Sequence, residues 1–169
     1  SDMVNGATVC LMDGMVFVGT VWKLIDKYSV TAMALSPASL SMIFELSGDR
    51  IGEYKDQLQY IQIGSAPLPE ADKQRLIQLM PKLRLYNFYG SSEAGCSCIL
   101  DFNSADNKVG CIGRPTVNSL IRFVDENGAE VTNVSEENPA PLAWGGTFVM
   151  KEYYNEPELT AETMVDGYI

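Results

Sequence analysis

The sequence predicts an α/β fold: a mainly parallel sheet flanked by helices, followed by a smaller β-rich segment with the character of a partial, distorted barrel. Two observations carry this expectation. In the first two-thirds of the chain, short apolar runs alternate with stretches of helical periodicity, the pattern of βαβ units. Near Cys111 the helical periodicity gives way to alternating strands and Asp/Asn/Gly turns. The expected division is residues 1–112 as an α/β subdomain and residues 113–169 as a β-rich, truncated segment.

The elements follow in order. Residues 7–12 (ATVCLM) are a short apolar run suited to a buried strand. Val16, Phe17, Val21, Leu24, Ile25 and Tyr28 recur at helical spacing, with Lys23, Asp26 and Lys27 on the wet side. Residues 31–35 (TAMAL) form the next expected strand. Ser36-Pro37 then opens a helix, serine as the cap and proline in the first turn. Leu40, Ile43 and Phe44 supply its inner face, and Ser47-Gly48 end it.

Residues 58–63 (LQYIQI) make a third strand running into Gly64-Ser65-Ala66-Pro67. Pro69 opens a helix whose first turn carries Glu70 and Asp72, where carboxylates suit the helix dipole, and whose stripe is Leu76, Leu79 and Met80. Residues 83–88 (LRLYNF) form the fourth strand and deliver the stretch YNFYGSSEAG. Beyond Cys111, residues 119–124 (SLIRFV) alternate as a strand into the turn DENG. Residues 142–150 (LAWGGTFVM) continue strand-like, and residues 157–164 (PELTAETM) form one short helix.

Composition narrows the chemistry. With 12 basic and 22 acidic residues the net charge is -10, and no Lys/Arg cluster offers a phosphate-backbone footprint, so nucleic acid is not an expected partner. No apolar run reaches the roughly 18 residues of a transmembrane helix, and a cytoplasmic location is expected. There is no histidine, which excludes Ser-His-Asp and Cys-His catalysis from within the chain. Cys96, Cys98 and Cys111 lack a fourth partner at knuckle spacing and read as reduced, semi-buried thiols rather than a zinc site.

In open α/β sheets, ligands gather at the carboxyl ends of the strands. GSAP (64–67) and FYGSSE (88–93) both follow an expected strand, and neighbouring strands would bring them together. Gly64 and Ser65 let a backbone approach a flat ligand, and Ala66-Pro67 keep that wall small and stiff. Tyr89 offers a ring on which a base can stack, Asn87 an amide for an exocyclic amine, and Gly90 clearance beside the ring. Ser91 and Ser92 bring hydroxyls suited to phosphate oxygens. Glu93 is a hard oxygen ligand, and magnesium needs only one or two carboxylates besides waters and phosphates. A structural alternative stands beside this: Ser92 caps a short helix with Glu93 in its first turn.

Four blocks in this order give the chain a resemblance to the adenylate-forming superfamily, the AMP-binding enzymes that include acyl-CoA synthetases. They are GSAPLP, YGSSE, IGRPTVN with IRFVDENGAEV, and GGTFVMKEYYNEPELTAETMVDGYI. The resemblance spans nearly the whole chain. It implies a fragment of an ATP-dependent acid–thiol ligase, which activates a carboxylic acid as acyl-AMP and passes it to a thiol. ATP and Mg2+ are the implied cofactors, with CoA or a carrier-protein thiol as acceptor.

Carried over by position, Ser92 and Glu93 take the catalytic places, with Glu93 on the metal. Gly64, Ser65, Ala66, Pro67, Asn87, Phe88, Tyr89, Gly90, Ser91 and Ser92 line the nucleotide site. Ala66, Gly90, Ala94 and Gly95 become candidates for the acyl pocket, with Cys96 behind them. Ser92 replaces the family's usual threonine, Ser65 a glycine and Glu152 a glycine, and Trp144 stands near its usual Arg-Gly. The family's phosphate loop, ribose motif and C-terminal domain with its lysine are not in these 169 residues. The implied partner is therefore the rest of a larger enzyme, and the chain alone is expected to be inactive. Two other readings remain: an amino-acid-activating adenylation domain, towards which Asn118 after Gly-Arg-Pro leans, and a non-catalytic scaffold that keeps the fold.

Overall fold

The computed structural model describes residues 6–12, 17–104 and 110–169. Strands β1 (Ala32–Leu35), β2 (Tyr60–Gly64), β3 (Arg84–Ser91), β4 (Gly95–Asp101) and β5 (Arg114–Pro115) follow their chain order in a mixed sheet. β6 (Ser119–Phe123) and β7 (Leu142–Gly146) form a second, two-stranded sheet. The helices are α1 (Val18–Tyr28), α2 (Pro37–Ser47), α3 (Glu70–Leu79) and α4 (Pro157–Thr163). Packing divides the chain into two compact units at Leu85/Tyr86. The change in sequence character lies later, near Cys111, because it tracks local strand and turn signals rather than packing density.

The first unit is built on the parallel pair β1–β2, in register from Ala32 opposite Tyr60 to Leu35 opposite Ile63. Ile61 and Ile63 point inward from β2 and are fully buried. The start of α2 is as expected: Ser36 Oγ accepts from the Ser39 N–H at 3.1 Å, Pro37 follows, and Leu40, Ile43 and Phe44 are all buried. Gly48 ends the helix in a positive-φ conformation, its N–H donating to the Phe44 carbonyl. The polar stretch after it forms an unexpected 3-10 turn (Arg50–Tyr54) that buries Ile51 and Tyr54.

Two expectations fail here. Residues 7–12 are not a strand: they pair with nothing among the described residues, and Leu11 is 88% exposed. An apolar run becomes a strand only where a ladder partner and a covering layer meet it. In α1 the buried stripe is Val18, Val21, Trp22 and Ile25, spaced i, i+3, i+4, i+7. Phe17 caps the helix from outside it and Tyr28 is exposed, while Val16 lies outside the described residues. Trp22, 2% exposed, stacks on Tyr54 at 5.5 Å and donates from Nε1 to Ser47 Oγ, so an aromatic lock sets the helix's rotation.

The second unit opens with an antiparallel hairpin, β3–β4, that the sequence reading did not anticipate, and β5 extends it. The register shifts between Tyr89 and Gly90, a bulge that re-aims the strand end. No other residue fits at Gly90: a Cβ there would collide with the Gly95 carbonyl across the hairpin. β6 and β7 pair antiparallel, with Ile121 opposite Trp144. The DENG turn between them is held by Asp125, which accepts from the N–H groups of Asn127 and Ala129.

Candidate active site

The turn joining β3 to β4 is a hairpin turn, not a helix start. Ser91, rather than Ser92, stabilises it: Ser91 Oγ accepts from the Ala94 N–H at 3.0 Å. This overturns the alternative in which Ser92 caps a helix. Strand alternation places Leu85, Asn87 and Tyr89 on one face of β3 and Phe88 on the other. Leu85 is buried on that face, and Tyr89, further along it, reaches the open end with 41% exposure.

Beside this turn, within the second unit, lies a cleft of about 290 Å³. Of the residues singled out from sequence, Tyr89, Gly90, Ser91, Glu93 and Ala94 all line it. Ser92 sits exposed at the turn, and Gly95 packs beside Phe148, where an added Cβ would lie 3.0 Å from the Phe148 Cβ. Asn87 Oδ1, two residues back from Tyr89 on the same strand face, is buried and has no hydrogen-bond partner among the described residues. The residues 64–67 loop belongs to the first unit, where Ser65 holds φ at 77°, a conformation that suits the glycine it replaces.

Sequence reasoning missed the opposite wall. Trp144 faces Tyr89, ring centroids 5.7 Å apart and tilted by 37°. Its backbone is tied in both directions to Ile169, which also lines the cleft. Leu142, one strand face with Trp144, adds apolar surface, and the buried Ser97 lies at the floor with its hydroxyl donated to the Ala94 carbonyl at 3.2 Å. Tyr153 completes the wall. Trp144 and Tyr153 were visible in the sequence only as a family departure and a family signature; nothing local marks them as neighbours of Tyr89 and Glu93.

Electrostatically the cleft turns on one group. The Glu93 carboxyl is held below its ordinary range by its own backbone N–H, then by the hydroxyls of Ser91 and Tyr153. Tyr153 Oη donates to Glu93 Oε1 at 3.2 Å. The Tyr153 phenol is pushed up, first by desolvation and then by the adjacent carboxylate. So Glu93 is an anion with an exposed side, and the described lining of the cleft carries no histidine or lysine beside it. Among the described residues no cluster of three or more His, Cys, Asp or Glu could hold a metal by itself. A single carboxylate still fits a magnesium ion that draws its other ligands from water and phosphate. Two thiols stand apart from that chemistry: burial pushes the Cys98 thiol up to about 11, and partial burial raises the half-buried Cys96.

Comparison with known proteins bears on the family and the fold. 4-Coumarate-CoA ligase 1 of Narcissus pseudonarcissus is 28% identical over 165 residues, 94% of this chain and 29% of that protein. The polyketide synthase PksN of Bacillus subtilis is 26% identical over 148 residues, 85% of this chain and 3% of that protein. The chain thus spans less than a third of the length of these curated relatives. Among solved structures, the N-terminal domain of FACL13 from Mycobacterium tuberculosis superposes with a TM-score of 0.83 at 22% identity, covering 99% of this chain and 41% of that one. O-succinylbenzoate coenzyme A synthetase of Bacillus subtilis, solved with ATP and magnesium ion, gives 0.81 at 19% identity over 99% of this chain and 33% of its own. No helix among the described residues is long and apolar enough to cross a membrane. The AMP-binding enzyme family matches residues 3–154, most of the chain, including the first three blocks and the start of the fourth, and the chain belongs to that family.

Proposed function

We propose that this chain is the adenine- and magnesium-binding centre of an ATP-dependent acid–thiol ligase, a larger enzyme that joins a carboxylic acid to CoA through an acyl-adenylate. The observation that carries the reading is the cleft itself. It brings the Tyr89 ring, the Glu93 carboxylate and the small Ala94 to one place, and the unpartnered Asn87 Oδ1 lies two residues back from Tyr89 on the same strand face. A buried acceptor without a donor is costly, and a turn of the Asn87 amide toward an exocyclic purine amine would satisfy it. Tyr89 stacks on the base; Ser91 and Ser92 offer hydroxyls to the phosphates. The loop of Gly64, Ser65, Ala66 and Pro67 keeps the nucleotide-side role that the resemblance gives it.

Glu93 would hold the magnesium ion, which supplies charge neutralisation at the phosphates when bound. The chain's own residues align the reactants and stabilise developing charge, which needs no acid–base histidine. Ala66, Gly90, Ala94 and Gly95 shape the acyl side. The match to 4-coumarate-CoA ligases supports CoA as the acceptor, and a cytoplasmic location goes with this reading. The match to a polyketide synthase at nearly the same identity favours a second reading, transfer to a carrier-protein thiol or activation of an amino acid.

Pyrophosphate exchange into ATP, run on the intact enzyme with fatty, aromatic and amino acids, tests both. Exchange stimulated by fatty or aromatic acids supports the first reading, exchange with amino acids alone replaces it by the second, and none with any acid sinks both. The 169-residue chain by itself should bind ATP-Mg only weakly; calorimetry returning micromolar affinity would contradict that.

A further inference from the structure

We propose that Tyr153 is a positioning residue for Glu93, setting the orientation of that carboxylate through its hydroxyl; this rests on the reading of Glu93 as the magnesium ligand. Glu93 leaves a tight turn, and a glutamate side chain has three torsions that the turn does not set. Sixty positions further on, Tyr153 supplies what is missing, its Oη donating to Glu93 Oε1 at 3.2 Å. The same segment grips the Glu93 backbone, since the Met150 N–H donates to the Glu93 carbonyl at 2.6 Å. One residue is therefore held at two points, main chain and side chain.

Tyr153 is itself anchored. Its N–H donates to Thr160 Oγ1 at 3.0 Å, and the Thr160 hydroxyl donates to the Glu156 carbonyl at 2.8 Å. The Glu156 N–H returns to the Tyr153 carbonyl at 3.1 Å. A closed set of bonds through α4 thus fixes the Tyr153 backbone on both sides, and from that fixed point the phenol reaches the carboxylate. Groups that orient a metal ligand in this way set metal affinity by about 10- to 100-fold when removed. Tyr153→Phe, which deletes only the hydroxyl, belongs at the lower end of that range because Glu93 keeps its turn contacts.

The test is Mn2+ binding to the intact enzyme, read by electron paramagnetic resonance in the presence of α,β-methylene-ATP. Tyr153→Phe should weaken Mn2+ binding about 10-fold, raise the Mg2+ needed for half-maximal pyrophosphate exchange by a similar factor, and leave the acid's KM unchanged. Thr160→Val, which loosens the anchor from the far side, should move the same readouts in the same direction by less. In a Glu93→Gln background, Tyr153→Phe should have no further effect on Mn2+ binding. Unchanged Mn2+ binding in Tyr153→Phe, or the full loss again in the Glu93→Gln background, overturns the proposal. If Glu93→Gln alone leaves Mn2+ binding intact, the metal reading of Glu93 fails instead, and the two failures are distinct.

Discussion

Removing the Tyr89 ring separates a role in binding from a role in folding. The ring is 41% exposed and touches Trp144 at 5.7 Å on one side, so a little over half its surface is covered without ligand. Full burial of a large apolar side chain contributes about 1.5–3 kcal/mol, so Tyr89→Ala should cost the fold roughly 1 kcal/mol. Stacking of a base on an aromatic ring contributes about 1–3 kcal/mol by alanine substitution, roughly a 5- to 150-fold loss. The two losses report differently. A stability loss shifts the urea midpoint and lowers all activities together, whereas a stacking loss raises the KM for ATP and spares the acid. Tyr89→Phe keeps the ring and should stay within about twofold of the parent KM. The assay is pyrophosphate exchange with ATP and acid varied in turn, beside urea unfolding of the same proteins. A folded Tyr89→Ala protein with an unchanged KM for ATP would refute stacking.

Two further outcomes test the architecture around that ring. Gly90→Ala forces a Cβ against the Gly95 carbonyl carbon at 2.8 Å and the Cys96 Cα at 3.0 Å, all backbone. It should cost about 3 kcal/mol, against about 1 kcal/mol for Gly128→Ala, whose site is open and only conformationally strained at φ +78°. Similar urea midpoints for the two would argue against the bulged hairpin. Among the thiols, Cys10 and Cys111 are exposed, whereas Cys98 is buried and pushed up to about 11. At pH 8 only about one Cys98 in a thousand is a thiolate, and that fraction rises tenfold per pH unit towards 11. Iodoacetamide at pH 8 should modify Cys10 and Cys111 first; Cys98 reacting as fast as Cys111 would contradict its burial.

What the sequence made legible was local chemistry. Ser36-Pro37 names its helix start because cap and first turn are adjacent in the chain, and Asp125 names its turn for the same reason. The apolar residues of α2 were readable because one period fits them. The rotation of α1 was legible only in part: Val21 and Ile25 face inward as expected, but the period admits Phe17 as readily as Val18 and Trp22, and the choice is made by Tyr54, far along the chain from Trp22. β4 escaped notice because Gly95, Ser97 and two cysteines weaken its strand signal, while its pairing to β3 supplies the stability. Residues 7–12 show the converse, a strong strand signal with nothing among the described residues to pair it.

The candidate site divides along the same line, and the division says how such a cleft works. Tyr89, Gly90, Ser91, Glu93 and Ala94 are contiguous, so one short motif announces all of them. Trp144 and Tyr153 reach the same cleft from 50 to 60 residues away, and no spacing rule connects them to it. Glu93 is the acidic side chain among the described residues that line the cleft, and on the proposed reading its task is to place charge, so where that carboxylate points matters most. Orientation is what a single turn cannot supply and a distant phenol can. The YYNEPELT stretch, which served in the sequence only to identify a family, therefore has a physical role. It grips the Glu93 carboxylate through Tyr153, while Met150, just before it, donates to the Glu93 carbonyl. Motifs that touch a ligand and motifs that hold those in place look alike in a sequence. Here the hydrogen bond from Tyr153 to Glu93 joins two motifs that no spacing rule connects in the sequence.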